Sequence, residues 1–156
     1  MGKTDSYTDI YRYIGAACIG KIIPIDKLED SIYSTKILGD GYAVITNDKN
    51  VYSPVSGEVV RISNNSHSFN IRTDDGLDVL IHVGKDSNCD TLTATTLEVG
   101  VNDRVTQGQK LCRVDCDDSH KECTIEVVVN NSDKLEVFEI VANNVMDIKS
   151  TVIKYK

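Results

Sequence analysis

No apolar run in the chain approaches the roughly 18 residues that a membrane-crossing helix needs, and the amino terminus lacks the basic-then-apolar layout of a signal peptide. The expectation is a cytoplasmic protein with no membrane span. Basic residues are outnumbered, 17 Lys and Arg against 24 Asp and Glu, and form no stripe, which excludes an electrostatic grip on a phosphate backbone and so nucleic acid as partner. The five cysteines, Cys18, Cys89, Cys112, Cys116 and Cys123, are odd in number and contain no C-x-x-C pair, which disfavours a disulfide framework or a zinc ribbon. Catalytic motifs are missing as well: there is no G-x-S-x-G, no phosphate-cradling Gly-Lys-Ser/Thr loop, no H-E-x-x-H and no H-x-H. Histidine occurs three times, as His67, His82 and His120.

What is present is an ordinary globular composition, 40% hydrophobic and 26% charged, with a net charge of -7. At 156 residues, one domain can bury about 70% of its unfolded surface. Tyr7, Ile10, Tyr11 and Ile14 recur at helical spacing after Ser6, so residues 1–17 read as an amino-terminal extension carrying a short helix. From Cys18 the pattern changes to short β-branched and apolar runs punctuated by Gly, Asp, Asn and Ser. Strands are expected at 19–25, 42–46, 58–62, 68–73, 77–83, 110–114, 123–129 and 136–141. Turns fall at Leu38-Gly39-Asp40-Gly41, Ser53-Pro54-Val55-Ser56-Gly57, Asp74-Asp75-Gly76 and Gln107-Gly108-Gln109. This spacing predicts an all-β sandwich or barrel over residues 18–156.

His67 and His82 flank one hairpin, because the strand 68–73 enters the turn Asp74-Asp75-Gly76 and the strand 77–83 leaves it. A turn centred on Asp74 and Asp75 sets the two histidines directly opposite each other on one face. A shift of one residue sends them to opposite faces. Pairing Phe69 with Ile81 and Ile71 with Val79 makes the better apolar face and requires that second parity. Two imidazoles at one site can pass a phosphoryl group, one nitrogen attacking while the other ring holds the oxygens. With a carboxylate such as Asp86 they could instead hold zinc, although the spacing matches no zinc motif. His120, within Asp117-Asp118-Ser119-His120-Lys121-Glu122, reads as a solvated loop residue.

Four blocks occur in order: Leu38-Gly39-Asp40-Gly41-Tyr42-Ala43-Val44, Ser53-Pro54-Val55-Ser56-Gly57-Glu58-Val59, Ser66-His67-Ser68-Phe69, and Gly76-Leu77-Asp78-Val79-Leu80-Ile81-His82-Val83-Gly84-Lys85-Asp86. Together, over about residues 18–143, they resemble the glucose-type enzyme IIA components of the bacterial phosphoenolpyruvate-dependent sugar phosphotransferase system. The resemblance implies a compact antiparallel β-sandwich of the duplicated hybrid type with two neighbouring histidines on a shallow, apolar-rimmed face. It makes His82 the phosphoryl acceptor and His67 the second histidine, which orients the group and passes it on. Asn65, Phe69, Val83, Gly84 and Asp86 surround them as binding residues.

The implied donor is the phosphocarrier protein HPr and the implied recipient a cysteine of an enzyme IIB domain of a sugar permease, with no cofactor. A second implied role is that of a binding module that docks on transporters or metabolic enzymes and is switched by phosphorylation. Asn65 stands where the family usually has threonine, Ser68 where it commonly has alanine, and Lys85-Asp86-Ser87-Asn88 where it usually reads Ile-Asp-Thr-Val. The turns Ser53-Pro54-Val55-Ser56-Gly57 and Gln107-Gly108-Gln109 also resemble those of lipoyl and biotinyl carriers, but the tip Asp74-Asp75-Gly76 lacks the lysine that such carriers modify.

Overall fold

The structure, a computed structural model, describes residues 10–29, 32–64, 66–84, 94–115 and 122–156. Fourteen strands are found among them, and every ladder is antiparallel. The main sheet has eight strands. In spatial order these are β13 (Asn144–Val145), β2 (Gly20–Pro24), β3 (Asp40–Thr46), β11 (Cys123–Val129), β7 (Asp78–Gly84), β6 (Ser68–Thr73), β5 (Gly57–Ile62) and β9 (Arg104–Val105). Two three-stranded sheets complete the all-β sandwich. One runs β1 (Arg12–Gly15), β14 (Thr151–Tyr155), β12 (Phe138–Ile140), and the other β4 (Asn50–Tyr52), β10 (Lys110–Asp115), β8 (Ala94–Leu97).

The alternation of side chains along the central strands builds the core. Tyr42 and Val44 of β3, Ile125, Val127 and Val129 of β11, Val79, Ile81 and Val83 of β7, Phe69 and Ile71 of β6 and Val59 of β5 all turn inward and are buried together. Replacing Phe69 with alanine would remove about 3–5 kcal/mol, because the cavity it leaves cannot collapse fully. Gly41 permits the close contact of β3 with β11: a Cβ there would lie 1.9 Å from the carbonyl oxygen of Val127.

The strands at 68–73 and 123–129 appear with the expected limits. The helix expected near the amino terminus is corrected in its described part: Arg12–Gly15 is a strand, pairing Arg12 with Tyr155 and Ile14 with Ile153. A helix of this length is marginal by itself and needs an apolar stripe to bury, whereas Ile10, Tyr11 and Tyr13 remain exposed. Ile14, Ala16 and Ala17 instead join the main core. They are tied there by the buried Tyr42 hydroxyl, which donates to the Gly15 carbonyl at 2.6 Å and accepts from the Ala17 N–H at 3.2 Å. Residues 1–9, which carry the rest of that expectation, lie outside the described residues, as does His120.

Candidate functional site

The hairpin of β6 and β7 takes the apolar parity. Phe69 pairs with Ile81 and Ile71 with Val79, so His82 stands opposite Ser68 rather than opposite His67. Of the two registers the turn allows, the one with the histidines directly opposed is not taken, and the cause is energetic: it would leave only one strand's pair, Phe69 and Ile71 or Val79 and Ile81, facing the core. With Ile81 and Val83 facing inward, His82 projects from the outer face of the sheet. A row of neighbours runs across that face at its level, from Ala43 of β3 through Glu126 of β11 and His82 of β7 to Ser68 of β6.

Two 3-10 turns, Ile25–Lys27 and Ile32–Thr35, belong to the segment that covers part of this outer face. Ile25, Ala43 and Val128 form a small second core there, with Leu28, Tyr33, Leu38 and Leu80 packed against it. The covering leaves Glu126 only 5% exposed. Its carboxylate Oε1 lies 2.9 Å from Nδ1 of His82, whose side chain is 27% exposed. The Tyr33 ring tilts over the imidazole with centroids 5.2 Å apart. Burial first, and the Glu126 carboxylate second, push the Tyr33 hydroxyl up in pKa, so this rim stays neutral.

His67 precedes β6 and escapes strict strand alternation. Its carbonyl accepts the Val83 N–H at 2.7 Å, and its own N–H donates to Ser63 Oγ at 3.2 Å. The same Ser63 Oγ accepts the Ser68 N–H at 3.0 Å, closing a turn in which Ser66 adopts the left-handed conformation, φ 61°. The Ser66 carbonyl in turn accepts the hydroxyl of Thr95, bringing β8 of another sheet to the site. Burial lowers the pKa of His67 below its ordinary value, and the charge of nearby His82 lowers it further. Both causes keep His67 a neutral imidazole at neutral pH.

Of the other residues expected at the site, Phe69 and Val83 send their side chains into the core and support the histidines from beneath. Gly84 ends β7, paired with Thr124. Asn65 and Asp86 lie outside the described residues, and among those described no group of three His, Cys, Asp or Glu gathers as a metal site. Cys18, Cys112 and Cys123 are buried, and burial pushes the Cys18 thiol up to about 11 and that of Cys112 to about 12. These two are inert thiols. Sequence reasoning missed Glu126 and Tyr33. Glu126 had a signal, since it is the one charged residue in the run Cys123-Thr124-Ile125-Glu126-Val127-Val128-Val129.

Residues 12–135 match the family model described as phosphoenolpyruvate-dependent sugar phosphotransferase system, EIIA 1. The chain belongs to this family. It is accordingly a phosphoryl-relay component of that system. Among its relatives, the glucose-specific EIIA component of Halalkalibacterium halodurans is 32% identical over 140 residues, covering 88% of this chain and 81% of the relative. The glucose-specific EIICBA component of Streptococcus pneumoniae is 29% identical over 155 residues, and there the match spans 97% of this chain but only 21% of the longer protein. The solved structure of glucose permease IIA from Mycoplasma capricolum superposes with a TM-score of 0.78 at 26% identity, covering 94% of this chain and 97% of that one. Among the described residues no helix is long and apolar enough to cross a membrane.

Proposed function

We propose that His82 accepts a phosphoryl group from phospho-HPr and that His67 orients the group for transfer onward to a cysteine of an enzyme IIB domain. The observation that carries this reading is the placement of the two histidines: His82 faces outward and partly open opposite Ser68, the residue after His67, and the His67 carbonyl accepts the N–H of Val83, the residue after His82. The Nδ1 edge of His82 is taken by Glu126, so the edge available to an incoming group is Nε2. Its lone pair attacks phosphorus while the bond from phosphorus to the donor imidazole breaks, and that electron pair returns to the donor nitrogen. No metal or nucleotide enters such an exchange between two nitrogens. Neutral His67 can donate a ring N–H to the phosphoryl oxygens, a hydrogen bond to a charged group of about 1.5–3 kcal/mol net.

Docking suits the surroundings. Ile32 and Ile37 are exposed large apolar residues on the segment that covers part of the outer face, and Ile37 lines an open groove with Leu38, Ser68 and Leu80. Exposed apolar side chains of this kind are what a partner surface buries at the core of an interface.

The reading is tested by incubating the protein with phosphoenolpyruvate, enzyme I and HPr. The expected result is one acid-labile label on the wild type and none on His82→Ala. Absence of label on the wild type, or equal labelling of His82→Ala, would refute the assignment.

A further inference from the structure

Glu126 is an expensive residue in its place. It sits mid-strand at 5% exposure between two inward-facing apolar neighbours, and a buried carboxylate without a partner costs several kcal/mol. Among the described residues its one ion-pair partner is His82, through Nδ1 at 2.9 Å. The register explains the pairing: Glu126 and His82 are direct cross-strand neighbours on the outer face of the central β11 and β7 pair, fixed by the buried residues on either side of each. Packing alone would be served better by a β-branched residue, as at Val128 two positions on.

From this geometry we infer that Glu126 is the positioning residue of the transfer: it fixes the tautomer of His82, and it holds the positive charge that the ring acquires when Nε2 is phosphorylated. The inference rests on the reading of His82 as the acceptor.

An ionised carboxylate only accepts hydrogen bonds, so Nδ1 must carry the proton and Nε2 the free lone pair. Free imidazole prefers the opposite tautomer, with the proton on Nε2, which cannot attack until that proton leaves. Glu126 therefore keeps the attacking nitrogen unprotonated before any donor arrives. During transfer the Nε2–P bond forms, the bond from phosphorus to the donor nitrogen breaks, and the Nδ1 proton stays where it is. The ring is then left with a positive charge, which faces the buried carboxylate across one short hydrogen bond. The aspartate of the Ser-His-Asp triad acts on its imidazolium in the same way, orienting it and stabilising the charge without taking the proton.

The test reads the ring nitrogens directly. Two-dimensional ¹H–¹⁵N spectra of the full chain at neutral pH should show His82 with Nδ1 protonated and Nε2 free, and after phosphorylation with phosphorus on Nε2. In Glu126→Leu the Nε2–H tautomer should appear, and label uptake from phospho-HPr should slow by about 10- to 100-fold, by analogy with the cost of removing the carboxylate that orients a metal-ligating histidine. Glu126→Gln, whose amide oxygen can still accept from Nδ1, should retain the wild-type tautomer and lose only part of that rate.

A wild-type spectrum with the proton on Nε2, phosphorus found on Nδ1, or a Glu126→Leu protein labelled at the wild-type rate would each overturn the inference. Should neither variant fold, the wild-type spectrum alone decides. Label that persists in His82→Ala removes the acceptor reading while leaving the tautomer result standing. Label on His82 with the proton on Nε2 removes only the role of Glu126.

Discussion

The β6 and β7 hairpin ends in two polar clusters of opposite character. At the closed end, Asp75 accepts hydrogen bonds from the Thr73 hydroxyl and, at 2.6 Å, from the Tyr155 hydroxyl, with the Arg12 guanidinium 3.5 Å away. Asn131 clamps the same turn, donating to the Gly76 carbonyl and accepting the Asp78 N–H, both at 2.9 Å. Arg104 reaches Asp74. The polar partners here come from β1, β14 and β9 and from the loop after β11, and together they staple sheets to one another.

At the open end the polar groups are equally well held, but from behind. Ser63 grips the backbone around His67, and Glu126 grips one edge of His82, which faces outward from the sheet. A cluster that saturates itself adds stability, and one fixed from a single side is ready for chemistry.

That contrast can be broken or sharpened by substitution. The largest effect is expected at the open end: His67→Ala should still take label from phospho-HPr yet pass it to an enzyme IIB domain about 100-fold more slowly, in the range of losing one stabilising donor. Unfolding curves of that variant should match those of the wild type. Rapid-quench measurement of the second transfer checks the first expectation, and undiminished transfer would assign His67 to structure alone.

At the closed end the order reverses. Asp75→Ala should cost about 1–3 kcal/mol in urea unfolding while leaving label uptake unchanged, because it removes a shared acceptor from two hydroxyls.

Acid should reveal the same group. Burial alone would raise the pKa of Asp75, but the hydrogen bonds from Thr73 and Tyr155 and the charge of Arg12 outweigh it and hold the carboxyl below its ordinary value. A carboxyl lowered on folding contributes stability that is complete above its unfolded pKa of about 3.9 and lost as the pH falls through the folded one. Stability of the wild type should therefore fall more steeply than that of Asp75→Asn below about pH 4.

The smallest effect concerns His67. Its pKa lies below the ordinary histidine value because of burial and then the charge of His82, so its titration in NMR spectra should move back up in His82→Ala. A titration unmoved by that substitution would separate the two rings.

Much of this organisation was legible in the residues. Strands with two-residue alternation and well-marked turns, such as Ser68–Thr73 and Cys123–Val129, were found with their limits because burial of one face dictates them. The two histidines were placed at one hairpin end by the turn between them. Their relative parity was not settled by the turn, since Asp74-Asp75-Gly76 fits either register; the apolar set Phe69, Ile71, Val79 and Ile81 decides it. Short strands such as Arg104–Val105 and Asn144–Val145 carry too few residues for any pattern. At the amino terminus a helical spacing of tyrosines and isoleucines misled, because pairing with Thr151–Tyr155 comes from the far end of the sequence, beyond the reach of local pattern. Glu126 was hidden for the same reason: its meaning depends on a cross-strand neighbour 44 positions distant.

The contact of Tyr33 with His82 has a practical side. The chain contains no tryptophan, so an indole substituted at position 33 would be the molecule's sole long-wavelength fluorophore, seated against the ring that the relay reading makes the phosphoryl acceptor. Nature has left this site an empty optical channel, through which the charge state of one histidine can be followed in real time without a label anywhere else.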